Sequence, residues 1–149
     1  FLLKVTATAY LLVGIVSHML LSRDLGIAVA VSVGDICIVS LLVYGALTIV
    51  SKTERLVQTL TALFGTGAII GAATLPLHLW VIAANEAGTI GLGQALATVT
   101  LGVWPLAVLA HIIRHALSTT MWMGVAFSLM YLLLGVSLAS ALLPMPAPT

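Results

Sequence analysis

The chain has 149 residues, 62% hydrophobic and 6% charged, with five basic side chains against four acidic ones and a net charge of +1. Soluble domains carry roughly 25% charged residues, and nine formal charges cannot cover a water-soluble surface of this size. A soluble domain, a disordered chain and a basic nucleic-acid-binding face are all excluded, which leaves a polytopic membrane protein.

A spanning helix needs about 20 apolar residues, since each adds about 1.5 Å across about 30 Å of hydrocarbon. Polar punctuation divides the chain into five such runs. The first, 1–21, is closed by Ser22-Arg23-Asp24. Lys4 is followed by no small-x-small cleavage pattern, so this run reads as a spanning helix rather than a cleaved signal. The second, 25–50, ends at Ser51-Lys52-Thr53-Glu54-Arg55. The third, 56–84, ends in the loop Asn85 to Thr89, and the fourth covers 93–117. Ser118-Thr119-Thr120 form a turn in which Ser118 can cap the next helix. The fifth run, 121–143, stops before Pro144, Pro146 and Pro148. The runs are apolar all round, unlike the alternating strands of a membrane barrel. The expectation is an all-α, five-helix membrane bundle in a single domain, 1–149.

Five helices put the termini on opposite sides. Lys4, Lys52, Arg55 and Arg114 share one side, and Arg23 stands alone on the other. The bias places the N-terminus in the cytoplasm and the C-terminus outside. Trp80 and Trp122 suit interfacial belts, whereas Tyr10 lies too deep for one.

Helices in lipid associate through small residues that let backbones approach. Gly26, Ala30 and Gly34 line one face of the second helix. Gly67 and Gly71 form a GxxxG on the third, and Gly135 and Ala139 repeat the spacing on the fifth. These stripes predict close contact between the second and third helices, or docking of partner helices. Pro76 and Pro105 lie inside helices and should kink them.

Asp35 is the costliest residue, a carboxylate near mid-membrane that insertion scales put at about 2.5–3.5 kcal/mol. Ser32, Ser40 or a neighbouring helix could satisfy it, and it could otherwise serve a proton or cation path in an oligomeric channel. His18 and His78 fall at similar depth on different helices, a pattern that suits b-type haem or a metal ion, with Gly14 and Gly71 leaving room for a flat macrocycle. His111 and His115 share a face of the fourth helix and join Arg114 in a basic cluster suited to anionic lipid headgroups or an acidic partner group. The glutamate of HExxH is absent between them. Cys37 is a lone cysteine in an apolar run. No nucleophile–base set, phosphate loop or acidic pair is present, so no enzyme is expected and no catalytic residue is assigned.

Two stretches carry a family resemblance. One runs from Glu54-Arg55-Leu56-Val57-Gln58 through Leu63 to Leu75-Pro76. The other is Val103-Trp104-Pro105-Leu106-Ala107, followed by Ile112-Ile113-Arg114-His115-Ala116-Leu117-Ser118. Over about residues 52–143 the chain resembles the Yip (Ypt/Rab-interacting) family, in particular its bacterial branch. The resemblance implies five membrane helices, a cytoplasmic N-terminus, a bacterial inner-membrane location and work through protein partners rather than catalysis. Pro105 departs from the family pattern, and the cytosolic segment through which eukaryotic members engage Rab proteins has no counterpart here. The combined expectation is a non-enzymatic accessory or scaffolding subunit of a hetero-oligomeric membrane complex, with other integral membrane proteins and lipids as partners and no assigned cofactor. The alternatives are a haem b redox subunit using His18 and His78, and a small ion or proton channel using Asp35.

Overall fold

Five α-helices make up nearly all of the chain in the computed structural model, which describes residues 1–89 and 91–142, apart from the side chain of Leu21. They are α1 (Leu2–Ser22), α2 (Leu25–Ile49), α3 (Leu56–Glu86), α4 (Leu92–Leu117) and α5 (Met121–Leu142), with a 3-10 turn, Thr53–Arg55, leading into α3. All five are long and apolar enough to cross a membrane. No strand occurs among the described residues. Leu143 and the terminal prolines lie outside them. The helix ends follow local chemistry. Asp24 caps α2 by accepting a hydrogen bond from the Ile27 amide. Gln94 reaches back to the Gly91 amide at the start of α4. Arg23 closes α1 in the left-handed conformation.

The expected cap at Ser118 is corrected. Ser118 adopts the left-handed conformation (φ 53°) as the C-terminal cap of α4, and its amide bonds back to His115 and Arg114 carbonyls. Its hydroxyl accepts from Arg55. Arg55 also donates to the Ala116 carbonyl, and Lys52 Nζ donates to the Leu117 carbonyl at 3.0 Å. The two cations thus satisfy carbonyls that the last turn of α4 leaves without helical donors.

α1 packs against α2 and α3, α4 against α3 and α5, and α2 closes the ring against α5. The expected intimate contact of the second and third helices is not the main one. Gly67 and Gly71 of α3 face α1, where an added Cβ would come within 2.5 Å of the Tyr10 ring and 2.7 Å of Val13 Cγ1. Gly34 of α2 faces Leu138 of α5, whereas Gly26 and Ala30 lie exposed on the outer surface. Gly135 has nothing near its missing side chain, and Ala139 is half-buried. The tightest backbone approach is at a glycine outside these stripes: a Cβ at Gly124 of α5 would lie 2.3 Å from the Ala110 carbonyl oxygen of α4. α3 and α4 run on through Pro76 and Pro105 without a break.

The core divides by depth. Val39, Val43, Leu47, Leu60, Leu63, Phe64, Leu109, Ile113 and Phe127 form one buried apolar cluster, most of it between mid-bundle and the end that carries Lys52 and Arg55. Hydroxyl side chains elsewhere turn onto their own helices, as Thr61 to Val57, Thr100 to Leu96 and Ser137 to Leu133 do. This is the only economical partner for a hydroxyl facing lipid. No fully buried side-chain nitrogen or oxygen among the described residues lacks a partner.

Gly124→Ala should force α4 and α5 apart and destabilise the bundle by about 1–3 kcal/mol. Gly135→Ala, with open space around it, should be neutral or slightly stabilising through helix propensity. Unfolding titrations of the two variants in the same detergent check this contrast.

Candidate functional site: a polar cavity at mid-bundle

The site begins at Asp35, in the middle of α2. Tyr131 of α5 donates its hydroxyl to Oδ1 at 2.5 Å, and Tyr10 of α1 donates to Oδ2 at 2.6 Å. The two phenol oxygens lie 3.4 Å apart. One carboxylate therefore fastens three helices. Neither expected serine is its partner: Ser32 donates instead to the Ala28 carbonyl. A neighbouring helix was the remaining expectation for Asp35, and here two supply its donors. Both tyrosines were missed as site residues. The available signal was the depth of Tyr10, which is out of place for an interfacial ring.

Above this cluster, toward the end that holds Arg23 and Glu86, lies a cavity of about 450 Å³. All five helices contribute to its wall. Tyr10, Asp35, Phe64 and Tyr131 form one end of it, and His18 and His78 line it further along. Counted along the helices, His18 is four residues from the end of α1 and His78 eight from the end of α3, about 6 Å and about 12 Å respectively. Pro105 also lines the cavity, together with Leu101, whose carbonyl has no amide to receive at position 105.

The two histidines are held alike. His18 Nδ1 lies 2.8 Å from the Gly14 carbonyl, and His78 Nδ1 lies 3.1 Å from the Thr74 carbonyl. A carbonyl can only accept, so the network assigns the proton to Nδ1 in both rings. Ser32 Oγ, 3.3 Å from His18 Nδ1, offers a second acceptor. Both Nε2 atoms are left without a protein partner among the described residues, the arrangement in which histidine binds metals. Gly14 and Gly71, expected to leave room for a macrocycle, both line the cavity. They also serve helix packing, since a Cβ on Gly71 would meet Val13 and one on Gly14 would lie 3.1 Å from Ser32 Oγ. No group of three or more His, Cys, Asp or Glu side chains gathers among the described residues.

The remaining candidates lie apart from the cavity. His111 and His115 are exposed and stack edge to face with centroids 4.6 Å apart, at the end of α4 beside Arg114. Cys37 is exposed on α2. At the opposite end Arg23 pairs with Glu86 at 3.0 Å, with the side chains 81% and 60% exposed, so the pair adds little stability in water.

No protein-family model matches the chain, and no curated protein or solved structure shows significant similarity to it. The Yip resemblance accordingly rests on its two sequence stretches alone.

Tyr10→Phe and Tyr131→Phe should each destabilise the bundle by about 1–3 kcal/mol, because each leaves a carboxylate oxygen short of a donor. The double variant should depart from additivity by at least about 0.5 kcal/mol, since both tyrosines serve one group. A double-mutant cycle measured by reversible unfolding in detergent tests the cluster.

Proposed function

We propose that the protein is a non-enzymatic integral membrane protein that works by holding a ligand in the cavity between its helices. The observation that carries this reading is the setting of Asp35: a mid-membrane carboxylate, costly to place there, that ends a cavity instead of being packed over. Functional pockets have this character, an apolar wall with a few convergent polar groups and a volume of roughly 300–1,000 Å³. The positive-inside bias places the end bearing Lys4, Lys52, Arg55 and Arg114 in the cytoplasm, and the cavity then occupies the outer half of the bundle. A bacterial inner-membrane location accords with the Yip resemblance. Conduction by a single chain is disfavoured, because the apolar cluster around Val43, Leu47 and Ile113 fills the bundle on the cytoplasmic side of Asp35.

A second reading, the accessory subunit, is favoured by Gly26 and Ala30. They lie exposed one turn apart on the outer face of α2, where another membrane helix could approach closely. His111, Arg114 and His115 would then meet lipid headgroups or an acidic group of that partner. The haem reading keeps one supporting fact, two cavity-lining histidines, on α1 and α3, whose Nε2 atoms have no protein partner among the described residues.

Affinity purification from native membranes in mild detergent, with mass spectrometry of all that stays bound, decides among these. The cavity reading expects a small molecule at about one per chain. Stoichiometric larger membrane proteins with no small molecule would replace it with the accessory reading. A Soret band would replace it with the haem reading, and a chain that comes down with neither ligand nor partner would overturn all three.

A further inference from the structure

We infer that the cavity is a site for a small organic monocation, a protonated amine or a quaternary ammonium, with Asp35 as its counter-ion and the rings of Tyr10, Phe64 and Tyr131 around its charge. The inference rests on the cavity reading and adds the chemical class of the occupant.

Four observations carry it. Both oxygens of Asp35 accept a hydrogen bond from a phenol, so the carboxyl group needs no proton of its own to complete its hydrogen bonding. An ionised carboxylate at this depth then calls for a nearby positive charge. Among the described residues no lysine or arginine lies beside it, and the nearest nitrogen bases, His18 and His78, line the cavity further along. The ion pairs among the described residues are Arg23–Glu86 and Arg55–Glu54, both at bundle ends, and every lysine and arginine lies at or near a helix end. The space beside the carboxylate is also the wrong size for a bare ion. It measures about 450 Å³, whereas one water takes up about 30 Å³ of the liquid. Finally, its wall is mainly apolar, with Val13, Val39, Leu63, Ile70 and Leu106 among the lining residues. That wall suits an organic body. The Tyr10 and Phe64 rings, packed together with centroids 5.3 Å apart, put aromatic carbon in the lining beside the carboxylate. An anion would meet the carboxylate, and a neutral sugar would find too few polar partners along this wall.

The test uses the full chain in a neutral detergent and two probes of one shape: benzyltrimethylammonium and its uncharged carbon isostere, neopentylbenzene. Equilibrium dialysis should show saturable binding of the ammonium at one per chain, at least tenfold tighter than the isostere, and a matching rise in melting temperature. Potassium chloride at the same concentration should not reproduce the rise. Asp35→Asn should weaken the ammonium at least tenfold and leave the isostere unchanged. Leu106→Trp, which fills the cavity from the α4 wall, should abolish binding of both. The comparison of probes on the unaltered chain needs no variant, so a poorly folding Asp35→Asn protein does not remove the test. Equal binding of the two probes would overturn the cation inference and keep the cavity reading. Equal stabilisation by potassium would also overturn the organic class. Binding of neither probe would overturn the inference and the cavity reading together.

Discussion

In hydrocarbon a polar group finds its partner inside the protein or goes without, and Asp35 is where that constraint bears hardest on this chain. Its insertion costs about 2.5–3.5 kcal/mol, and hydrogen bonds to a charged group return about 1.5–3 kcal/mol each. Two phenol donors therefore complete the hydrogen bonding of both oxygens but bring no opposite charge, and one alone would leave an oxygen bare. Because the donors come from α1 and α5, the carboxylate fixes the rotation and depth of both helices against α2. Sliding either helix by one turn, about 5.4 Å, would break the cluster. Apolar packing in lipid gives no comparable register, since leucine meets lipid as readily as it meets leucine.

The glycines make this reach possible. Tyr10 lies against Gly67 so closely that any side chain there would collide with its ring. The α1–α3 contact thus holds the phenol that α2 requires, and the GxxxG of α3 serves the polar cluster through α1. At the other end of the bundle a different economy operates. Lys52 and Arg55 turn onto the carbonyls that end α4, so the loop before α3 is tied to the turn before α5. Those two cations do structural work at the membrane surface. His111 and His115 lie exposed at the same end, beside Arg114.

Much of the architecture was legible. Helix number and bounds within one or two residues follow from the length of each apolar run and the polar residues that end it, because membrane thickness sets helix length almost independently of packing. Which helices touch was not legible. Small-residue stripes mark faces capable of close approach without naming the face opposite, so Gly67 and Gly71 pointed to α2 when their neighbour is α1. The closest approach, at Gly124, lies outside the stripes singled out in the sequence, although buried Ser128 follows it at the same four-residue spacing. For the site, Asp35 stood out by its cost, and His18 and His78 by their shared depth, and the structure places all three on one cavity. The tyrosines were hidden because a phenol's role depends on a contact 25 or 96 positions away in the chain. Ser118 misled for a related reason: serine is a good cap at the start of a helix, and here the preceding helix claimed it first.

The two halves of the interior differ in kind, and that difference bears on what such a bundle can do. From Asp35 toward Arg23 and Glu86 the interior offers hydroxyls, two histidines and open volume. From Asp35 toward Lys52 it offers Val43, Leu47 and Ile113, each at most 1% exposed. A conducting path needs polar groups or water at every level, and a dry aliphatic segment several turns deep opposes both. A binding site needs the reverse, a closed floor that fixes the depth of the ligand and an open space above it. Asp35 sits at that boundary, held by the phenols of Tyr10 and Tyr131 at one end of the open space.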